Sequence, residues 1–381
     1  MRHSHRPKVR TPLIGVLAAC AVLTAACGSG STSSSHKPTS TANQAVVTKA
    51  EAFIKPYLTP PTTIPLTEPL KEAPAKGKTM VFLQCELSQC KGIGLGVQQA
   101  SEVVGWTFKT IPYESTNPST LARAMDQALQ YKPVAVAFTS PPYAIWSQKV
   151  AEYKAAGVPL IPSFTGDVPI SDTIIANPAS TEYAELNGKI IANWVTAASG
   201  ANAKILSVSV NDFPYLAGTT KGFDSTIESD CPGCKLTKLN VGIPDVGSGN
   251  INTIIVSTLR KHPEIDYVVP VDVAFVGALP AALDAADLGA KVKIAGCCGD
   301  TTTEAGLASD KFSAITGVNG FYAGFASVDA AIRSSQGLPI PANEGILPVG
   351  LLIKDTAVKP ADSFQYPVDF VDQFKKLWKL S

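Results

Sequence analysis

The stretch 78–104, KTMVFLQCELSQCKGIGLGVQQASEVV, is where the chain takes on a regular rhythm. Residues 80–83 form an apolar run of strand length, and 93–104 carry apolar residues at helical spacing. The same alternation then repeats. Strands are expected at 108–111, 134–138, 158–161 and 173–175, with helices at 119–131, 144–156 and 181–198. Asn117-Pro118 ahead of the second helix is a start signal. The rhythm restarts with strands at 205–210, 236–241, 266–271, 292–295, 313–316 and 347–352, and helices at 216–228, 251–261, 274–286 and 320–335. Strands spaced by helices of this length imply parallel sheets covered on both faces. Two runs in series imply an α/β fold of two doubly wound lobes joined by crossover hinge segments. In open sheets of this kind a ligand sits beyond the carboxyl ends of the strands, so two facing lobes would enclose one cleft.

The N-terminus supplies an address. A basic head (Arg2, Arg6, Lys8, Arg10) precedes an apolar run from Leu13 to Ala26. That run is shorter than the roughly 20 residues of a spanning helix and reads as a secretory signal. Leu23-Thr24-Ala25-Ala26-Cys27 resembles the lipobox of bacterial lipoproteins. The resemblance implies that Cys27 is lipidated and becomes the first residue of a chain held at the outer face of the cell membrane. Residues 1–26 are then signal peptide, 27–50 the lipidated cysteine and a flexible tether, and 51–77 a proline-rich lead-in, with a short helix expected at 45–57. Lobe 1 is expected over 78–176 and 318–344, and lobe 2 over 177–317 and 345–381.

Composition narrows the function. With 32 basic and 31 acidic residues the net charge is +1, and no basic run remains past the signal to attract nucleic acid. An apolar content of 45% is enough for real cores, and no second apolar stretch is long enough to cross a bilayer. Past Cys27 six cysteines remain in three close pairs: Cys85 with Cys90, Cys231 with Cys234, and Cys297 with Cys298. An even, locally paired set in an exported chain reads as disulfides, although proximity alone leaves the connectivity open. Cys297 and Cys298 are unusual, because adjacent Cα atoms lie about 3.8 Å apart, below the common disulfide range. They are read either as a vicinal bridge offering a rigid apolar sulfur surface, or as separate thiols or partners of Cys85 and Cys90.

The order of elements resembles the type I periplasmic binding proteins, in particular the ribose-binding-like branch, over about residues 76–355. Asn117-Pro118-Ser119, Asn187-Gly188-Lys189, Lys221-Gly222-Phe223, Asp272 with Val276-Gly277-Ala278-Leu279, and Ile294-Ala295-Gly296 carry the resemblance. It implies a two-lobed receptor, acting as a monomer, that captures a small solute and delivers it to an ABC permease. A sugar, sugar-like molecule or polyol is the expected ligand, and neither a cofactor nor a metal is implied. LacI-type repressors share the fold, but a signal and tether stand here where their DNA-binding segment would be.

Residues just past the strand ends are the candidate ligand contacts: Glu86, Ser140 and Phe164 from lobe 1, and Asp212, Phe213, Tyr215, Asp272, Cys297, Cys298 and Asp300 from lobe 2, with Asn319 at the last crossover. Carboxylates and amides suit the hydroxyls of such a ligand, and aromatics suit its apolar face. The competing readings are a solvated loop charge or helix N-cap for each carboxylate, and packing under a loop for each aromatic. Several positions depart from the ribose-like pattern. Glu86-Leu87-Ser88-Gln89-Cys90 stands where paired aromatics are expected, Ser140-Pro141-Pro142 where an acid is expected, and Ala217 and Thr219 where arginines are expected. The cleft therefore looks less charged than a pentose site.

Other chemistries fit less well. Gly92-Ile93-Gly94-Leu95-Gly96-Val97 misses the dinucleotide fingerprint at Val97, and its glycines are read as permitting a tight turn. Cys231-Pro232-Gly233-Cys234 has redox spacing but falls in a loop rather than at a helix start. His262 is the lone histidine of the folded part, which disfavours a catalytic triad or a histidine-rich zinc site. No residue is assigned catalysis. The alternatives are a ligand-sensing receptor for a membrane signalling partner, and an exported redox or metal-binding protein using the cysteine pairs.

Overall fold

The computed structural model describes residues 41–115, 117–356 and 364–380. The expected signal peptide, the lipidation at Cys27 and most of the tether lie outside them. In chain order the first half comprises α1 (Thr41–Ile54), β1 (Thr79–Gln84), α2 (Ser88–Val103), β2 (Thr107–Pro112), α3 (Pro118–Gln130), β3 (Ala135–Thr139), α4 (Tyr143–Trp146), α5 (Val150–Ala156) and β4 (Leu160–Ser163). The second begins with α6 (Thr181–Ala198), β5 (Lys204–Ser209), α7 (Pro214–Asp230), β6 (Lys235–Asn240), α8 (Ile243–Gly247) and α9 (Ile251–Lys261). It continues with β7 (Tyr267–Pro270), α10 (Leu279–Asp284), β8 (Lys293–Cys297), α11 (Thr301–Ala308) and β9 (Ala314–Val318). Last come α12 (Gly320–Ser335), β10 (Val349–Leu352) and α13 (Phe370–Leu377).

These strands build two separate sheets. Lobe 1 has the order β2-β1-β3-β4, all parallel. Lobe 2 has the order β10-β9-β8-β7-β5-β6, parallel except for β10, which runs antiparallel to β9. Alternation along each strand feeds both faces. In lobe 1, Val81, Leu83, Val136 and Phe138 pack towards α3 and Tyr153, whereas Met80, Phe82, Ala135 and Ala137 join Val97 and Ala100 of α2 and Phe325 of α12. In lobe 2, Leu206, Val208 and Val268 face α9 and α10, while Ile205, Tyr267 and Val269 face Ile190, Ile191 and Val195 of α6.

The lobes share a construction. In each, the helix that follows the first strand lies against the helix that enters from the other lobe: α2 against α12, and α7 against α6. Glycines set the close approach. A Cβ at Gly96 would strike the Phe321 carbonyl, and one at Gly324 would strike Val97 N and Gly96. One at Gly188 would strike the Thr219 carbonyl, and one at Gly222 the Glu185 carbonyl. The glycines expected in a tight turn therefore sit inside α2, which starts at Ser88 and not near 93.

Several expectations are corrected. The helix expected over 144–156 is α4, a 3-10 turn at Ser147–Lys149 and α5. The one expected over 274–286 is a 3-10 turn at Val273–Val276 followed by α10, with Pro280 at its start. The 173–175 strand is a single parallel bridge, Leu160 to Ile174. From Thr41 the expected tether is helical: Val47, Ala50 and Ile54 of α1 are buried, with Ile54 among the α6 side chains of lobe 2 and Val47 beside Ala201 and Cys231. The lead-in then crosses to lobe 1, where Ile64, Leu66 and Leu70 are buried. There the Ile64 and Leu70 amides donate to Gln373 Oε1 and the Leu377 carbonyl, and Arg333 donates to the Glu68 carbonyl. The helix α13, expected in lobe 2 with the rest of 345–381, packs on α12 instead: Phe325, Phe370, Phe374 and Trp378 form one aromatic group. The indole of Trp378 donates to Asp329 Oδ1 at 2.6 Å.

Candidate functional site

The carboxyl ends of the two sheets enclose a cavity of about 410 Å³. From lobe 1, Thr139 and Ser140 close β3, Phe164 follows β4, and Leu87, Gln89 and Ile93 come from the start of α2. From lobe 2, Phe213, Tyr215 and Leu216 follow β5, Asp272 and Phe275 follow β7, and Cys298–Thr301 follow β8. Val318 and Asn319 end β9, Phe321 opens α12, and Phe364 and Gln365 arrive from the segment ahead of α13. Left-handed backbone at non-glycine residues is uncommon and gathers at functional sites. Ser140 (φ 82°), Phe164 (φ 53°) and Cys298 (φ 65°) all adopt it, each at a strand tip and each on the cavity wall.

Eight of the eleven expected contacts line this cavity: Ser140, Phe164, Phe213, Tyr215, Asp272, Cys298, Asp300 and Asn319. The other three are placed elsewhere. Glu86 turns aside to accept from the Ser115 amide and hydroxyl, which hold its carboxyl below the usual range against the opposing effect of partial burial. Asp212 is exposed and accepts from the Ile243 amide at 3.3 Å. Cys297 is the last residue of β8 and is buried in the sheet, so only its neighbour faces the cavity. Phe275, Phe321, Phe364 and Gln365 were not anticipated. Phe275 lies three residues past Asp272, close enough to a strand tip to have been included. Phe364 follows no strand directly, and nothing local in the sequence marks it.

The polar groups of the site are already partly engaged. Asp272 is 4% exposed and its Oδ1 accepts from the Ala274 amide at 2.9 Å. Burial, reinforced by the Asp300 carboxylate, pushes its pKa up to about 8. Asp300 caps α11: its Oδ1 accepts from the Thr303 amide, and Thr303 Oγ1 accepts from the Asp300 amide, both at 2.9 Å. Behind it Glu304 is 1% exposed, and burial, then Asp300, pushes its pKa up to about 7. Asn319 caps α12, accepting from the Tyr322 amide at 2.9 Å and donating to the Tyr366 carbonyl at 3.2 Å. Tyr215 meets Phe164 of the opposite lobe edge-on, with centroids 4.9 Å apart, and its buried hydroxyl has no partner among the described residues. Among the described residues, no lysine, arginine or histidine lines the cavity.

Away from the cavity, the sulfurs of Cys231 and Cys234 lie at bonding distance with Cα atoms 5.4 Å apart, beside Val47 of α1. Those of Cys85 and Cys90 (Cα atoms 5.6 Å apart) and of Cys297 and Cys298 (3.8 Å) are also at bonding distance.

Two parallel-sheet lobes around a cavity at their strand tips define a class of receptor, and the comparisons agree. Residues 90–339 match the family model described as periplasmic binding protein domain, and the chain belongs to this family. Among solved structures it is similar to an ABC sugar transporter subunit from Rhodobacter sphaeroides, with a TM-score of 0.63, 17% identity, and coverage of 74% of this chain and 99% of that one. It is also similar to a 5-methylthioribose transporter solute-binding protein from Thermotoga lettingae in complex with 5-methylthioribose, with a TM-score of 0.65, 15% identity, and coverage of 80% and 98%. A solute-binding protein from Agrobacterium vitis bound with α-D-tagatopyranose matches with a TM-score of 0.63, 18% identity, and coverage of 74% and 97%. No curated protein matches the sequence.

Proposed function

We propose that the protein is the extracytoplasmic substrate-binding component of an ABC importer, tethered to the membrane through a lipidated Cys27 and acting as a monomer. It captures a sugar or sugar-like solute between its lobes, closes on it, and presents the closed form to a permease. The observation that carries this reading is the 410 Å³ cavity lined by strand-tip residues of both lobes, because a guest that touches both lobes favours the closed state. We assign ligand contact to Ser140, Phe164, Phe213, Tyr215, Asp272, Cys298, Asp300 and Asn319. The three cysteine pairs act as disulfides: Cys85–Cys90 fixes the approach to α2, Cys231–Cys234 clips the loop under α1, and Cys297–Cys298 presents sulfur to the cavity.

Small-angle scattering on the purified chain, before and after addition of a panel of sugars and polyols and of a dialysable cell extract, tests the reading. A decrease in radius of gyration that Asp272→Asn weakens is expected. No compaction with any sample would overturn it. Mass spectrometry under reducing and non-reducing conditions tests the three disulfides, and mass spectrometry of a detergent extract tests acylation of Cys27.

A further inference from the structure

The charges, hydrogen-bonding capacity and apolar surface of the cavity together restrict its guest. The inference rests on the solute-binding function proposed above. We infer that the ligand is an uncharged sugar or cyclic polyol carrying an apolar substituent, such as an alkylthio, alkyl or aryl group, and not a bare sugar or a sugar acid.

Charge comes first. Asp272 and Asp300 line the cavity and, among the described residues, no cationic side chain does, so an acidic ligand would be taken out of water against two carboxyls with none of those residues to offset it. Nor does the buried acid call for a cation. Burial favours the protonated form of Asp272 at neutral pH, in which it serves as a hydrogen-bond donor.

Hydrogen-bonding capacity comes next. Asn319 commits its oxygen to the Tyr322 amide and one of its two N–H groups to the Tyr366 carbonyl. One oxygen of Asp272 serves Ala274, and one of Asp300 serves Thr303. Thr139 is 1% exposed and its hydroxyl lies 3.4 Å from that of Ser140. The buried groups left to the guest are the second oxygen of Asp272, the remaining Asn319 N–H and the Tyr215 hydroxyl, which has no partner among the described residues. The second oxygen of the more exposed Asp300 joins them. These groups follow β9, β8, β7 and β5, which are consecutive in the lobe 2 sheet. They suit one hydroxylated edge.

The apolar wall supplies the complement. Phe164, Phe213, Phe275 and Phe321 are each packed against the shared core on one side and left half-buried at the cavity. Cys298 and Val318 extend the same surface. One or two ring faces are enough to stack a sugar; four from two lobes offer more apolar surface than a sugar ring covers. A hydrophobic substituent removes that surface from water.

Isothermal titration calorimetry on the full folded chain tests the inference with matched probes. These are D-ribose, D-glucose and D-galactose, their methylthio and phenyl derivatives, and glucuronate and glucosamine as charged controls. At least one substituted sugar is expected to bind about tenfold or more tightly than its parent, the scale of burying one such group. Phe275→Ala should shrink that ratio to within about threefold, and Phe213→Ala, with a thermal melt run on both, guards against a misfolded variant. A parent sugar binding as tightly as its derivatives, or a charged control binding tightest, overturns the inference. If no probe binds while a dialysable extract still compacts the protein, the substituted-sugar class is wrong and the solute-binding reading stands. If the extract also fails, both fall.

Discussion

Asp272 is the residue whose surroundings say most about the site. It caps the 3-10 turn Val273–Val276 past the tip of β7, its Oδ1 accepting from the Ala274 amide, and is almost without solvent. A carboxyl held up to about 8 in the folded chain, against about 4 when unfolded, retains its proton on folding. Glu304, pushed up to about 7, behaves alike. Between the two values the folded state binds more protons than the unfolded one, so stability falls as pH rises. The contribution is fullest below about pH 4 and declines as pH approaches about 7 for Glu304 and about 8 for Asp272, by at most about 1.4 kcal/mol per pH unit per group. Urea unfolding of the ligand-free protein from pH 5 to 8 should show this decline. Asp272→Asn keeps the acceptor for Ala274 and should flatten it, most clearly between pH 7 and 8; an unchanged slope would remove Asp272 from the account. A second residue-scale prediction concerns Trp378. Phenylalanine there leaves a buried Asp329 oxygen without its indole donor, and a loss of about 1–3 kcal/mol is expected in the same assay.

At the scale of elements, the two lobes are held by helix pairs whose spacing depends on glycine. Alanine at 222 improves helix propensity by up to about 1 kcal/mol, but its Cβ would occupy the place of the Glu185 carbonyl. Backbone cannot yield as a flexible side chain does, so the clash prevails. Gly222→Ala and Gly324→Ala should each cost about 1–3 kcal/mol and lower the melting temperature, the first through lobe 2 and the second through lobe 1. Gly277→Ala, where nothing lies within 4 Å of the added Cβ, should leave it unchanged. The strands and most helices were legible because period-2 and period-3.6 patterns are local, as at Met80–Phe82 against Val81–Leu83. The placement of α13 was not, since its docking is fixed by Phe325 and Asp329, more than 40 residues upstream. The same distinction divides the site. Asp272 and Ser140 come directly after readable strands and Tyr215 a short loop beyond one, whereas Phe364 reaches the cavity by filling the space over Gly317 and Gly350. Glu86 follows a readable strand too, but a neighbouring serine captures it.

At the scale of the molecule, the segment before β1 belongs to both lobes. The helix α1 is seated on α6, the turn Lys55–Leu58 lies beside β10 with Tyr57 and Leu58 against the lobe 2 core, and Ile64–Leu70 is seated on lobe 1. Ile54→Asp places a charge in the α6 contact and should release α1 alone. The far-ultraviolet circular dichroism signal should change little while trypsin cleavage after Lys49 quickens by about tenfold or more. Equal cleavage rates would show that α1 does not hold its seat in solution.

This double seating bears on how the molecule moves. The backbone passes between the halves after α1, after β4, after β9, after α12 and again before α13. A book stitched at many points along its spine still opens, but its covers neither slide nor twist past one another. Swinging about a single axis is the freedom such binding leaves, so fluorophore pairs set at opposite ends of the cleft mouth should report one shared transition, at one solute concentration.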